Sequence, residues 1–200
     1  MKKKPAKNRS ANAPSNHLRI IGGQWRGRKL TFPSIEGLRP TGDRIRETVF
    51  NWLQFELPEA RCLDLFAGSG ALALESLSRR AEFCLMLEKD GQACAQLNSH
   101  LVALECRQAQ VLNTDSLDWL AQCKPENELQ FDVVFCDPPF ALGLWQRCFE
   151  LLESKNLIAE GGWIYVEAPK NESLDFPSQW QIHRKKSTGQ VDFYLLNRAS

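Results

Sequence analysis

The most specific chemistry in this 200-residue chain lies in four consecutive residues, Asp137-Pro138-Pro139-Phe140, directly after the apolar run Phe131-Asp132-Val133-Val134-Phe135-Cys136. The carboxylate of Asp137 and the main-chain carbonyl of Pro138 both accept hydrogen bonds. Two successive prolines lock φ and offer no N–H, so acceptors rather than donors converge where a strand should end. A planar exocyclic amine fits that pair, because two N–H bonds orient it and shift electron density toward its nitrogen. Phe140 adds an aromatic face on which a base can stack. The competing reading is an ordinary proline turn with a capping aspartate.

Two other strand-to-helix junctions carry chemistry. The string Asp64-Leu65-Phe66-Ala67-Gly68-Ser69-Gly70 predicts a strand running into a tight glycine turn and then a helix from Ala71. Such a turn lets backbone approach a ligand closely. Leu87-Glu88-Lys89-Asp90 places Glu88 at the end of the next strand, 18 residues after Gly70, where a carboxylate accepts hydrogen bonds from ribose hydroxyls. Gly68-x-Gly70-x-x-Ala73 also meets the relaxed dinucleotide fingerprint, so spacing alone does not choose the cofactor. Asp64 does: a buried carboxylate beside the loop repels a pyrophosphate but complements the ammonium of an amino-acid-bearing nucleoside such as S-adenosylmethionine.

These junctions need a scaffold that brings strand ends to one edge. Strand-like runs at 61–66, 83–88, 109–112, 131–136 and 162–167 alternate with helical stretches near 70–80, 91–104, 115–123 and 143–154. Alternation of this length predicts an α/β fold, a doubly wound, mostly parallel sheet with helices on both faces and ligands at the carboxyl ends of the strands. Segments 179–186 and 190–196 around Thr188-Gly189 predict a closing antiparallel hairpin. Ahead of the sheet, short extended pieces around Gly22-Gly23 and a helix after Pro40, with Ile45, Val49, Phe50, Trp52 and Leu53 on one face, form a small N-terminal extension. That helix is expected to show Arg44, Arg46 and Glu47 on its other face.

Composition bounds the rest. Hydrophobic residues make up 43% of the chain, enough for a real core, and no apolar run approaches a membrane span. The net charge of +1 conceals a split, with residues 1–50 at +9 and the remainder at −8. A basic segment joined to an acidic body suggests phosphate backbones as partners. The alternative for the charged hairpin is an edge kept soluble by its own charges. Seven cysteines without a CxxC pair read as free thiols. No metal site is expected, and with no apolar segment after the charged start the chain is expected in the cytoplasm. His17, His100 and His183 fall outside the three junctions, and Cys136 reads as a buried strand residue.

The strings Arg19-Ile20-Ile21-Gly22-Gly23-Gln24-Trp25-Arg26-Gly27-Arg28-Lys29-Leu30 and Leu38-Arg39-Pro40-Thr41-Gly42-Asp43-Arg44-Ile45-Arg46-Glu47-Thr48-Val49-Phe50-Asn51-Trp52-Leu53, with the Asp-Pro-Pro-Phe element, resemble the RsmD family. These are class I, S-adenosylmethionine-dependent methyltransferases acting on the exocyclic N2 of the guanine conventionally numbered 966 in 16S rRNA. The resemblance implies a seven-stranded Rossmann-like methyltransferase sheet. It divides the chain into a flexible basic arm (1–17), an RNA-facing hairpin and helix (18–57) and a methyltransferase domain (58–200). It also implies action on the assembled or assembling small ribosomal subunit by a chain for which nothing demands more than a monomer.

By the same resemblance, Asp64, Phe66, Ala67, Gly68, Ser69 and Gly70 hold the methionine part of the donor, Glu88 with Lys89 the ribose, and Asp115 with Ser116 the adenine end. Asp137, Pro138 and Phe140 grip the guanine. Arg19, Arg26, Arg28, Lys29, Arg39, Thr41, Arg44 and Arg46 lie toward the RNA. The residues by themselves leave other readings open: an amino-methyltransferase for adenine or a glutamine amide, an NAD-dependent oxidoreductase, or a non-catalytic RNA-binding assembly factor.

Overall fold

A computed structural model describes residues 16–32, 42–124 and 129–199. The expected basic arm lies outside these residues apart from its last two positions, and so do Arg39 and Thr41. Two sheets are present. A small antiparallel pair joins β1 (Asn16–Arg19) to β2 (Lys29–Phe32), and helix α1 (Asp43–Trp52) follows. The main body alternates β3 (Arg61–Asp64), α2 (Ala73–Ser78), β4 (Phe83–Glu88), α3 (Gly91–Ala103), β5 (Ala109–Asn113), α4 (Ser116–Gln122), β6 (Phe131–Cys136), α5 (Trp145–Ser154) and β7 (Ile158–Pro169). It closes with β8 (Trp180–Thr188) and β9 (Val191–Arg198).

The seven strands run in the order β5-β4-β3-β6-β7-β9-β8, with the first five parallel and β9 and β8 antiparallel to their neighbours. The predicted doubly wound architecture and the closing hairpin are both present. Three elements differ most from their expected ranges. The strand expected over 61–66 ends at Asp64, the helix expected over 70–80 contracts to Ala73–Ser78, and β7 reaches back to Ile158. The first two share a cause: residues 65–72 form turns, in which the Gly70 N–H donates to the Ala67 carbonyl at 2.7 Å.

Alternation within the apolar strands fills two cores. Cys62, Met86, Val133, Phe135 and Tyr165 face one side, and Leu63, Leu87, Val134, Ile164 and Val166 the other. The first core is completed by Leu18, Ile20, Leu30, Val49, Phe50 and Leu53, so the N-terminal extension is built into the body. Phe50 sits 6.1 Å from Phe135, and Trp52 stacks on Phe193 at 5.4 Å.

A buried carboxylate locks the extension in place. Glu75 of α2, wholly enclosed, accepts the Ile21 N–H through Oε2 and the Gly22 N–H through Oε1, each at 2.8 Å. The Arg79 guanidinium donates to Oε1 at 2.8 Å, and that of Arg46 lies 3.8 Å from Oε2. Gly22-Gly23 is explained by this contact. A Cβ on Gly22 would stand 2.5 Å from the Arg79 guanidinium, and one on Gly23, where φ is +73°, only 1.8 Å from the Ser78 carbonyl oxygen. Ser78 in turn receives the Trp25 N–H and donates to the Gly22 carbonyl.

Arg46 corrects an expectation. It is 1% exposed, donating to the Arg19 carbonyl at 3.0 Å and to Asp43 at 2.5 Å, so it belongs to the interior and is not on a face open to RNA. Removing one partner of a buried ionic cluster leaves the others uncompensated, typically at about 3–5 kcal/mol. Glu75→Ala should lower the unfolding free energy by that order, read as a fall in the urea midpoint at unchanged slope. A midpoint equal to that of the unsubstituted chain would show that the clasp contributes nothing.

Candidate active site

Parallel pairing sets the height of each strand end. Asp64 is level with Met86 on β4 and Phe135 on β6, and Glu88 is level with Asn113 on β5. Phe66, Glu88 and Asp137, each two residues beyond that first row, therefore emerge at one edge, with Asp115 just past the end of β5. Beside them opens a small cleft lined by Phe66, Leu87, Glu88, Lys89, Asp115, Ser116, Pro139 and Leu144. Five of the expected donor residues thus meet: Phe66, Glu88, Lys89, Asp115 and Ser116.

Each acidic group is held differently. Asp64 is 2% exposed; its Oδ1 accepts the Phe66 N–H at 3.3 Å, while Oδ2 has no hydrogen-bond partner among the described residues. Burial pushes its carboxyl up to about 7, against the pull of the Phe66 and Ala73 N–H groups, and the nearby Glu88 adds to the rise. Glu88 is half-buried and receives the Gly68 N–H at 2.9 Å and the Asp90 N–H at 2.8 Å. Asp115 is exposed and caps α4, taking the Leu117 N–H at 2.9 Å. The Ser116 hydroxyl donates to the Leu65 carbonyl, tying the start of α4 to the end of β3.

This donor set suits a nucleoside carrying hydroxyls, an amine and an ammonium, and it is hostile to a pyrophosphate. The Gly68 N–H, which a phosphate would need, is already engaged by Glu88. The buried Oδ2 of Asp64, two residues before Phe66 of the cleft wall, is an unsatisfied acceptor, chemically suited to a cation and not to a phosphate. S-adenosylmethionine matches on both counts, and the site decides against NAD.

Other expected residues are placed differently. Gly70 does not face the cleft: with φ at +79°, a Cβ there would lie 2.6 Å from Leu97 and 2.9 Å from Leu74, so this glycine serves packing against α2 and α3. Ala67 and Ser69 are buried, at 5% and 6% exposure. Leu144 of the cleft, and Asn113, whose amide clamps the Glu88 and Lys89 carbonyls at 3.1 and 2.9 Å, had not been anticipated. A polar residue ending the third predicted strand was the available signal for Asn113.

Beyond β6, Asp137 is half-buried, Pro138 buried and Phe140 38% exposed, its ring 5.9 Å from that of Trp145. Cys136 is fully enclosed, with its thiol raised well above the usual range by contact with Cys148 and by burial. It is a core residue. Arg19, Arg26, Arg28, Lys29 and Arg44 are exposed, Arg19 resting 3.8 Å from Asp43. His100 holds the Thr31 carbonyl at 2.8 Å, binding β2 to α3.

The raised Asp64 carboxyl has a pH signature. An acid whose value rises from 3.8 to about 7 on folding contributes stability that is complete below the lower value and is lost as pH climbs through the upper one. Urea unfolding of the donor-free chain between about pH 4 and 8 should show this decline levelling off above the upper value, and Asp64→Asn should abolish it. Parallel declines in both proteins would assign the dependence to another group.

The family model described as Conserved hypothetical protein 95 matches residues 18–197. Ribosomal RNA small subunit methyltransferase D of Haemophilus influenzae is 47% identical over 180 residues, covering 89% of this chain and 92% of its own. The protein of that name in Escherichia coli K12 is 46% identical over 186 residues, covering 92% and 91%. A solved Escherichia coli structure, described provisionally as the methyltransferase yhhF, superposes with a TM-score of 0.84 at 42% identity over 92% of this chain and 99% of that one. The residues that suggested the resemblance and the fold that carries them agree with these relatives: the chain belongs to the Conserved hypothetical protein 95 family, the RsmD family of S-adenosylmethionine-dependent methyltransferases.

Proposed function

We propose that this enzyme methylates the exocyclic N2 of one guanine, position 966, in 16S rRNA of the assembled or assembling small ribosomal subunit, acting as a monomer in the cytoplasm. Relatives 47% and 46% identical to it are named for small-subunit ribosomal RNA, which supports the substrate class. Among the described residues no helix is long and apolar enough to cross a membrane. The observation that carries the reading is the Asp137-Pro138 pair emerging from β6 beside the end of β3, adjoining Pro139 and Phe66 of the cleft wall.

S-adenosylmethionine supplies the electrophile, a methyl on a positively charged sulfur. Within the chain, Asp64, Glu88 and Asp115 hold the donor's ammonium, ribose and adenine ends. Asp137 and the Pro138 carbonyl each accept one N–H of the guanine amine, which aims its nitrogen lone pair and leaves Asp137 placed to take the proton shed after alkylation. Phe140 offers the aromatic face for the base. Positioning of this kind supplies up to about 7–11 kcal/mol, so no covalent nucleophile is required. The base must leave its stack at a cost of a few kcal/mol, offset by phosphate contacts from Arg19, Arg26, Arg28, Lys29 and Arg44.

Mass-spectrometric mapping of 16S rRNA from cells lacking the protein should reveal one unmethylated guanine that the purified enzyme restores at N2. Methyl incorporation into DNA, with none into methyl-deficient subunits, would reject the reading. Asp137→Ala should reduce turnover by about 100-fold or more while donor affinity, followed by calorimetry, changes less than about twofold. Full activity in that variant would remove Asp137 from the reaction.

A further inference from the structure

The outer strand of the main sheet carries His183, Arg184, Lys185 and Lys186 in succession, all exposed. Their side chains are sorted by a shift in register between Ile182 and Arg184. Arg184 pairs with Leu195 and Lys186 with Phe193, two residues of the core beneath α1, so both side chains share the sheet face that carries the N-terminal extension. Lys185 pairs with Tyr194 on the opposite face. It is already occupied, 3.6 Å from Asp192 and 4.9 Å above the Tyr194 ring. Arg184 and Lys186 make no ion pair or hydrogen bond among the described residues.

Their height in the sheet is informative. Cys136 is level with Val166, Val166 with Tyr194, and Tyr194 with Lys185. Asp137, the next residue, therefore continues the row of Glu167, Phe193 and Lys186. Three interstrand steps separate β6 from β8, about 14 Å at ordinary sheet spacing. A single strand of RNA crosses that span in a few nucleotides. A chain whose base enters at Asp137 has, in the same row, an uncommitted ammonium, and one strand position pair below it an uncommitted guanidinium.

We propose that Arg184 and Lys186 form a second phosphate-binding surface for the RNA substrate, separate from the arginines of the N-terminal hairpin and aligned with the target-base position. The proposal rests on the rRNA reading above. The rival account is that these charges only keep an edge strand from pairing with another copy.

The test uses the full chain with Arg184→Gln and Lys186→Gln combined, assayed on methyl-deficient small subunits and by RNA binding across salt concentrations. We expect KM for the subunits to rise about tenfold, with the loss falling on KM rather than kcat and affinity for S-adenosylhomocysteine unmoved. The slope of log affinity against log salt should shrink by about 1.5, the signature of two lost phosphate contacts. Unchanged KM and salt slope, while the unsubstituted enzyme methylates the same subunits, would overturn this surface and leave the rRNA reading standing. Self-association of the variant with unchanged RNA affinity would overturn it in favour of edge protection. An unsubstituted enzyme that methylates no rRNA takes down both.

Discussion

Register between parallel strands governs everything this molecule can do. A hydrogen-bonded ladder gives each residue of β3 a fixed partner on β4 and on β6, so a residue's distance along its own strand determines its height at the shared edge. Phe66, Glu88 and Asp137 come from segments far apart in the chain, yet they share one level because each lies two residues past partners in the same row. Ladder bonds of this kind are individually modest, and their number makes the arrangement rigid. The site therefore inherits its precision from backbone pairing, and the loops contribute the choice of side chain.

The same edge concentrates negative charge, and the chain relieves it by different means. Glu88 is stabilised as an acceptor by two main-chain N–H groups, and Asp115 by the first turn of α4. Asp64 receives the long Phe66 N–H bond and the pull of the Ala73 N–H, and is otherwise enclosed, which favours its neutral form. A cation placed beside it would reverse that preference.

Much of this was legible in the sequence because the relevant signals are local. Strand-helix alternation gave the sheet, and Asp137-Pro138-Pro139-Phe140 announces itself through proline geometry wherever it stands. The failures involve partners distant in sequence. Arg46 sits among polar residues on α1 and reads as solvated, but Glu75 lies 29 positions away and draws it inside. Glu75 itself sits beside Ser76 in a short helix of mixed character and offers no hint that it receives the Ile21 and Gly22 N–H groups. Gly70 looks like a ligand-facing glycine by spacing, and only the positions of Leu74 and Leu97 reveal that it is needed for packing.

Anchoring the hairpin turn on α2 also limits how this architecture could be recombined. Helix α2 begins three residues after Gly70 and ends at Ser78, so the glycine turn and the hairpin's acceptors lie on one continuous stretch of backbone. Grafting residues 18–30 onto another sheet of the same class would strand four main-chain donors, those of Ile21, Gly22, Gln24 and Trp25, and drive Gly23 into a foreign helix end. Such a transplant must bring Glu75, Ser78 and Arg79 with it, which makes the N-terminal extension an inseparable part of the main body and not an interchangeable cassette.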